Sequence, residues 1–296
     1  MEYELTFTVL PARDGQRLET VLRSELGLSK SRLQSLKWTP GALLRNGAPV
    51  RAADPVRAGD RITAYLPEKP APAAIPARAG TLDLRYEDEA LLVICKRAGV
   101  SMHSKGDPDC LAAALLAHLG EGAALHFVNR LDKGTSGLLL AAKRGHVHEL
   151  LRRSLHTGDL VREYRALSLG TPSPERGRVA LPIGPDEERF YARRVRPDGQ
   201  RAVTDYAVLE RRGDLALLRL LPETGRTHQL RLHMSALGCP LLGDALYGAP
   251  PDPRLDRPAL HSFRLRLTHP LTGERLQWEA SLPEDMAEAW KAAGRK

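Results

Sequence analysis

Residues 129–140 read Asn129-Arg130-Leu131-Asp132-Lys133-Gly134-Thr135-Ser136-Gly137-Leu138-Leu139-Leu140. Four charged or amide side chains crowd the first five positions, and an uninterrupted apolar run follows two glycines. A polar loop entering a buried strand holds a carboxylate well, because the strand is rigid and the loop can face a cleft. An Arg-x-Asp-Lys cluster also forms surface ion pairs that have no chemical role. Residue types alone leave both readings of Asp132 open.

Outward from this stretch, residues 90–95 and 137–141 are short apolar runs bounded by turn residues, and residues 215–221 form a third. Residues 146–156 carry helical spacing instead. Strands mixed with a few helices, without regular alternation or a fixed repeat, predict an α+β architecture for a large unit over 81–296. Residues 67–80 contain four prolines and five alanines, too much proline for a helix interior and too few large apolar residues for a core. They read as a linker to a small α/β unit over 1–66.

Within the small unit, Leu18, Val21, Leu22 and Leu26 recur at helical spacing and stop at Gly27. Ser29 is placed to cap a second helix, with Leu33 and Leu36 facing inward and Lys30, Arg32 and Lys37 facing solvent. Asn46-Gly47 tolerates the positive φ angles of a tight hairpin turn. Residues 60–66 read as the closing strand. Between Met1 and Pro67, ten lysines and arginines face seven acids, which leaves about +3. That suits phosphate binding, and equally a solvated helix face.

The whole chain of 296 residues has 44 basic and 36 acidic residues, a formal charge of +8 and a pI near 9.6, a balance suited to a polyanionic partner. Cys95, Cys110 and Cys239 are widely spaced and have no metal-ligand pattern. The acidic start, Met1-Glu2-Tyr3-Glu4-Leu5, lacks the basic residues of a signal peptide, and no apolar run approaches the ~18 residues of a membrane span. A cytoplasmic protein without a membrane partner is expected, and nothing in the sequence demands an obligate assembly, so a monomer is expected.

Several ordered segments carry a resemblance. Residues 130–137 resemble the catalytic motif of the RluA family of pseudouridine synthases, Glu163-Tyr164-Arg165-Ala166 its tyrosine segment, and residues 224–233 its late arginine motif. Residues 202–206, residues 242–248, His261 and Thr268-His269-Pro270 extend the match over nearly all of the large unit. The small unit resembles the RNA-binding domain named after ribosomal small-subunit protein four. Two positions depart from the pattern. Asn129 stands where the family usually has histidine, and Cys95 and Arg97 stand where asparagine and proline are common.

The resemblance implies a mixed, largely antiparallel central sheet with a catalytic cleft, and isomerisation of uridine to pseudouridine in ribosomal RNA, large-subunit RNA first, or in transfer RNA. It implies Asp132 as catalytic carboxylate, Arg231 as the cation paired with it through two hydrogen bonds, and Tyr164 as the ring against the target base. A paired uridine hides its reacting atoms, so a flipped nucleotide is expected. Arg130 would fill the vacated space or hold the backbone. Arg226 is expected near the cleft, on the strand face opposite Arg231, and Lys30, Arg32 and Lys37 would meet RNA phosphates. The isomerisation demands no cofactor, and no metal is expected: His146 and His148 diverge on a helix, and His228 and His233 would diverge on a strand.

Two competing functions make different predictions. A purely RNA-binding or assembly protein would be indifferent to Asp132→Asn, and a nucleotide hydrolase would release free uracil or cut the chain.

Overall fold

The computed structural model describes residues 2–67, 75–103, 107–120 and 122–294. The chain divides into two compact units, residues 1–70 with 144–146 and residues 71–143 with 147–296. Half of the expected linker, residues 68–74, lies outside the described residues.

In the first unit, β1 (Glu2–Thr8) precedes α1 (Leu18–Glu25) and α2 (Lys30–Lys37), then β2 (Leu43–Arg45), β3 (Ala48–Pro49) and β4 (Arg61–Pro67). The sheet order is β1-β4-β2-β3, so the expected closing strand lies inside the sheet, with β1 on its outer side. Leu18, Val21 and Leu22 of α1 and Leu33 and Leu36 of α2 are buried with Ile62, Ala64 and Leu66 of β4. The Ser29 hydroxyl accepts from the Arg32 N–H at 3.3 Å and caps α2. Asn46 and Gly47 take φ of 52° and 84°, the left-handed conformations that join β2 to β3.

The second unit runs β5 (Leu84–Glu87), β6 (Leu91–Lys96), α3 (Leu111–Leu119), β7 (His126–Phe127), β8 (Ser136–Ala142), α4 (Gly145–Thr157), β9 (Val161–Leu169), β10 (Arg176–Val179), β11 (Ile183–Pro185), β12 (Arg193–Val195), β13 (Thr204–Arg212), β14 (Leu215–Pro222), α5 (Gln229–Ala236), β15 (Leu260–Thr268), β16 (Arg275–Glu279) and α6 (Glu284–Ala292). Its large sheet has the order β10-β13-β14-β9-β15-β8-β6-β5, with β16 on β15 and β7 on β8, while β11 and β12 form a separate ribbon. β8 and β15 pair in parallel at Ser136 with His261 and Gly137 with Ser262. The other described pairings are antiparallel. The sheet is therefore mixed and largely antiparallel.

The apolar runs are continuous because both sheet faces are covered. Leu92, Ile94, Leu139 and Ala141 enter one core, and Leu91, Val93, Leu138, Leu140 and Ala142 enter the other. Gly137 is needed at the parallel seam. Its φ is 106°, and a Cβ there would lie 2.3 Å from the Ser262 carbonyl oxygen.

One expectation fails. Residues 229–236 form α5, not a strand. The Leu-Arg-Leu-His alternation imitates strand period, but residues 229–234 are all buried, so no polar face betrays the helical turn. Gln229 fixes its start: its Oε1 accepts from Thr224 Oγ1 at 2.7 Å and the Arg226 N–H at 3.0 Å, and its Nε2 donates to the Val203 carbonyl at 2.9 Å.

Candidate active site

Asp132 sits in the loop that leads into β8. Leu131 beside it is buried in the core and roots the loop. The Thr135 N–H closes a turn onto the Asp132 carbonyl at 3.0 Å. Beneath, Lys96 is buried and donates to the carbonyls of Arg97, Val100 and Lys133 at 2.9, 2.9 and 3.2 Å. Burial lowers the Lys96 ammonium to about 8, although Asp132 acts in the opposite direction.

The loop opens on a cleft of about 760 Å³ within the second unit. Asp132, Tyr164, Arg231, Arg130 and Arg226 all line it, so five residues picked from three separate motifs converge. Seven of the lining side chains are lysine or arginine, against the two acids Asp132 and Glu223, which makes the cleft receptive to an anionic chain. Arg130 and Arg226 are exposed at this surface. The Arg226 Nε donates to the Arg201 carbonyl at 3.1 Å. Lys30, Arg32 and Lys37 belong to α2 of the first unit; Lys30 and Lys37 are exposed and Arg32 half-buried. Lys37 is held by Glu19 at 2.7 Å.

The charge arrangement around Asp132 differs from the expected pair. Arg231 Nη1 lies 3.5 Å from Asp132 Oδ2, an ion pair without a close hydrogen bond. Its two hydrogen bonds, from Nε and Nη2 at 2.7 Å each, go to the carboxylate of Asp244. The reason is burial: the Asp244 side chain is only 1% exposed and needs a bidentate partner, whereas Asp132, 28% exposed, reaches water. Burial opposes the Arg231 cation, but Asp244 and then Asp132 outweigh it and raise its pKa. The guanidinium also lies over the Tyr247 ring, 5.0 Å from its centroid.

His228, at φ 58° just before α5, places Nε2 3.9 Å from Asp132 Oδ2. Its Nδ1 is 2.8 Å from the Tyr247 hydroxyl, which accepts from the Arg193 N–H at 2.9 Å. Burial pulls the imidazole below its ordinary value while Asp132 pulls the other way. From sequence, Asp244 and Tyr247 read only as part of the segment 242–248, and His228 only as a metal ligand that the spacing argues against. Asp244 was detectable as an acid inside the apolar run 241–247, where an unpaired carboxylate is costly and a buried cation is required.

Tyr164, in register with Ser262 of β15, is buried at the cleft wall. Burial raises its phenol pKa; Arg162, Ser262 and Asn129 act in the opposite direction. Asn129 Oδ1 accepts from the Leu140 N–H on β8 at 2.9 Å. The amide thus anchors the loop without an imidazole. No cluster of metal-ligating residues occurs among the described residues, and no described helix is long and apolar enough to cross a membrane.

Residues 90–236 match the family model of RNA pseudouridylate synthases. The uncharacterized RNA pseudouridine synthase YjbO of Bacillus subtilis is 39% identical over 272 residues, 90% of this chain and 96% of that protein. The ribosomal large subunit pseudouridine synthase D of Yersinia pestis is 36% identical over 306 residues, 97% and 94% of the two chains. Among solved structures, human RNA pseudouridylate synthase domain containing 4 superposes with a TM-score of 0.59 at 27% identity, covering 71% of this chain and 92% of that one. Sheet, cleft and sequence agree, and the chain belongs to the RNA pseudouridine synthases, isomerases that act on uridine in RNA.

Proposed function

We propose that this protein isomerises uridine in large-subunit ribosomal RNA, with Asp132 as the catalytic carboxylate. The observation that carries this is the position of Asp132 on the cleft wall, half-exposed and facing an arginine that another carboxylate already holds in place. The reaction breaks the bond from the ribose C1′ to uracil N1 and forms one to C5. C5 loses a proton, N1 gains one, and composition is unchanged. Whether a carboxylate attacks the sugar or takes a proton from it, it must be ionised and pointed at the ribose. Arg231 favours both, because its guanidinium stays charged and is oriented by Asp244 before substrate arrives.

Tyr164 offers its ring to the flipped base and its hydroxyl to the proton on C5. Arg130 and Arg226, exposed at the cleft, would take RNA phosphates or occupy the space the nucleotide leaves. Lys30 and Arg32 of α2 would add contacts to the RNA backbone, and Lys37 would do so on leaving Glu19. The names of the relatives favour ribosomal RNA over transfer RNA. The protein would work as a monomer in the cytoplasm.

The test is Asp132→Asn. Pseudouridine formation in unmodified cellular RNA should disappear while RNA binding persists, and undiminished product would overturn the role of Asp132. Mapping pseudouridines in RNA from cells with and without the gene identifies the target. Sites lost from transfer RNA alone would overturn the ribosomal assignment.

A further inference from the structure

Three buried donors around Tyr164, namely Asn129 Nδ2, Arg162 Nε and Ser262 Oγ, make no hydrogen bond of ordinary length and angle among the described residues. Asn129 lies in the loop before β8, Arg162 on β9 and Ser262 on β15, so the three come from separate segments. Asn129 is tied to β8 through its Oδ1. Arg162 precedes Tyr164 by two residues on β9, so strand period puts both on one face, and its Nη2 donates to the Pro222 carbonyl at 3.3 Å. Ser262 is the register partner of Tyr164 on β15. Asn129, Arg162 and Tyr164 all line the cleft. The phenol oxygen lies beside the Asn129 amide and the Ser262 hydroxyl, within the field of the Arg162 cation.

Such donors are costly unless something completes them. Arg162 is nine-tenths buried and has no carboxylate within ion-pair distance among the described residues. A phenol supplies one oxygen but no charge, whereas a phenolate supplies both. The Cβ of any side chain replacing Gly225 would meet Arg162 Nη1 at 3.1 Å, so the glycine leaves room for the guanidinium.

We propose that Asn129, Arg162 and Ser262 form a donor cradle that stabilises negative charge on the Tyr164 oxygen while Tyr164 takes the proton from C5 of the re-attached uracil. They are positioning residues, and the inference rests on the reading of Tyr164 given above. The phenol first loses its proton to water, a step that burial opposes and that Arg162, Ser262 and Asn129 favour. Once C1′ is bonded to C5, the C5–H bond breaks and its electron pair restores the ring double bond. The proton passes to the phenolate oxygen, and N1 takes a proton from solvent. The charged groups facing the phenol are Arg162 from β9 and Asp132 from the loop before β8. From α5, His228 and Arg231 face Asp132.

The test measures single-turnover release of tritium from RNA labelled at uridine C5, extracted from cells lacking the gene, across pH 6 to 10. Arg162→Met should slow release by about tenfold or more near pH 7 and recover as pH rises. Asn129→Asp, which keeps the acceptor for Leu140 but replaces the donor with a negative charge, should move the profile the same way. Arg162→Lys should stay close to the parent profile, and RNA affinity should change by no more than about twofold in all three. Profiles of Arg162→Met and Asn129→Asp that parallel the parent would overturn the cradle. Tyr164→Phe separates the two readings: full release from that variant sinks the role of Tyr164 itself, whereas an inactive Tyr164→Phe with unshifted cradle variants sinks the cradle alone.

Discussion

Two carboxylates share Arg231, and the protein treats them in opposite ways. Asp244 is buried, bonded twice at 2.7 Å, and placed at the start of a short turn whose Tyr247 lies under the same guanidinium. Asp132 is partly exposed and 3.5 Å away, on a loop that reaches the cleft. Asp244 sets the position of the cation, and Asp132 is left with bonding capacity to spare. A carboxylate saturated by its own protein has little left for a substrate, and the looser contact is what the proposed role of Asp132 requires.

The sharpest way to break this contrast is to remove each carboxylate in turn. Asp132→Asn should reduce product formation about a thousandfold or more with almost no change in thermal unfolding. Asp244→Asn should do the reverse first. It leaves a buried arginine without its partner and should cost about 3–5 kcal/mol, read as a lowered unfolding midpoint, with activity falling because Arg231 is no longer held. Equal destabilisation by the two variants would erase the distinction.

Acid probes the strand behind the loop. His261 is buried, with Nδ1 2.8 Å from Ser136 Oγ and Nε2 3.1 Å from the Ala280 carbonyl, and burial lowers it to about 4. The folded protein binds this proton less readily than the unfolded chain. Its contribution is therefore complete above about pH 6.5 and is lost as pH falls toward 4, to a total of about 3 kcal/mol. His261→Gln should flatten that part of the stability profile in denaturant titrations. The smallest effect belongs to Tyr247→Phe, which removes the hydroxyl between His228 and the Arg193 N–H; about 1 kcal/mol should be lost, with kcat affected less than stability.

Much of the site was legible because short polar motifs interrupt apolar runs. Asp132 stood out against Leu138, Leu139 and Leu140, and Tyr164 and Arg231 followed from segments in the expected order. The division of labour around Arg231 was hidden, since Asp244 is separated from it by 13 positions and only burial selects the preferred carboxylate. The helix at 229–236 was hidden for a related reason. A segment buried on all sides loses the contrast from which period is read, and the Gln229 bonds that start the helix reach back to Val203 and Thr204. In the small unit, by contrast, α1 and α2 each keep a solvent face, and both read correctly.

The parallel contact between β8 and β15 joins two plates of the large sheet through the pairs at Ser136 and Gly137. Asp132 leads into one plate, while Tyr164 belongs to the other. Torsion across this weld would alter the angle at which the carboxylate meets the phenol while leaving the Arg231–Asp244 clamp undisturbed. Gly137, with no room for a side chain against the Ser262 backbone, therefore acts as a mechanical tolerance: it sets how closely the two strands approach at the seam.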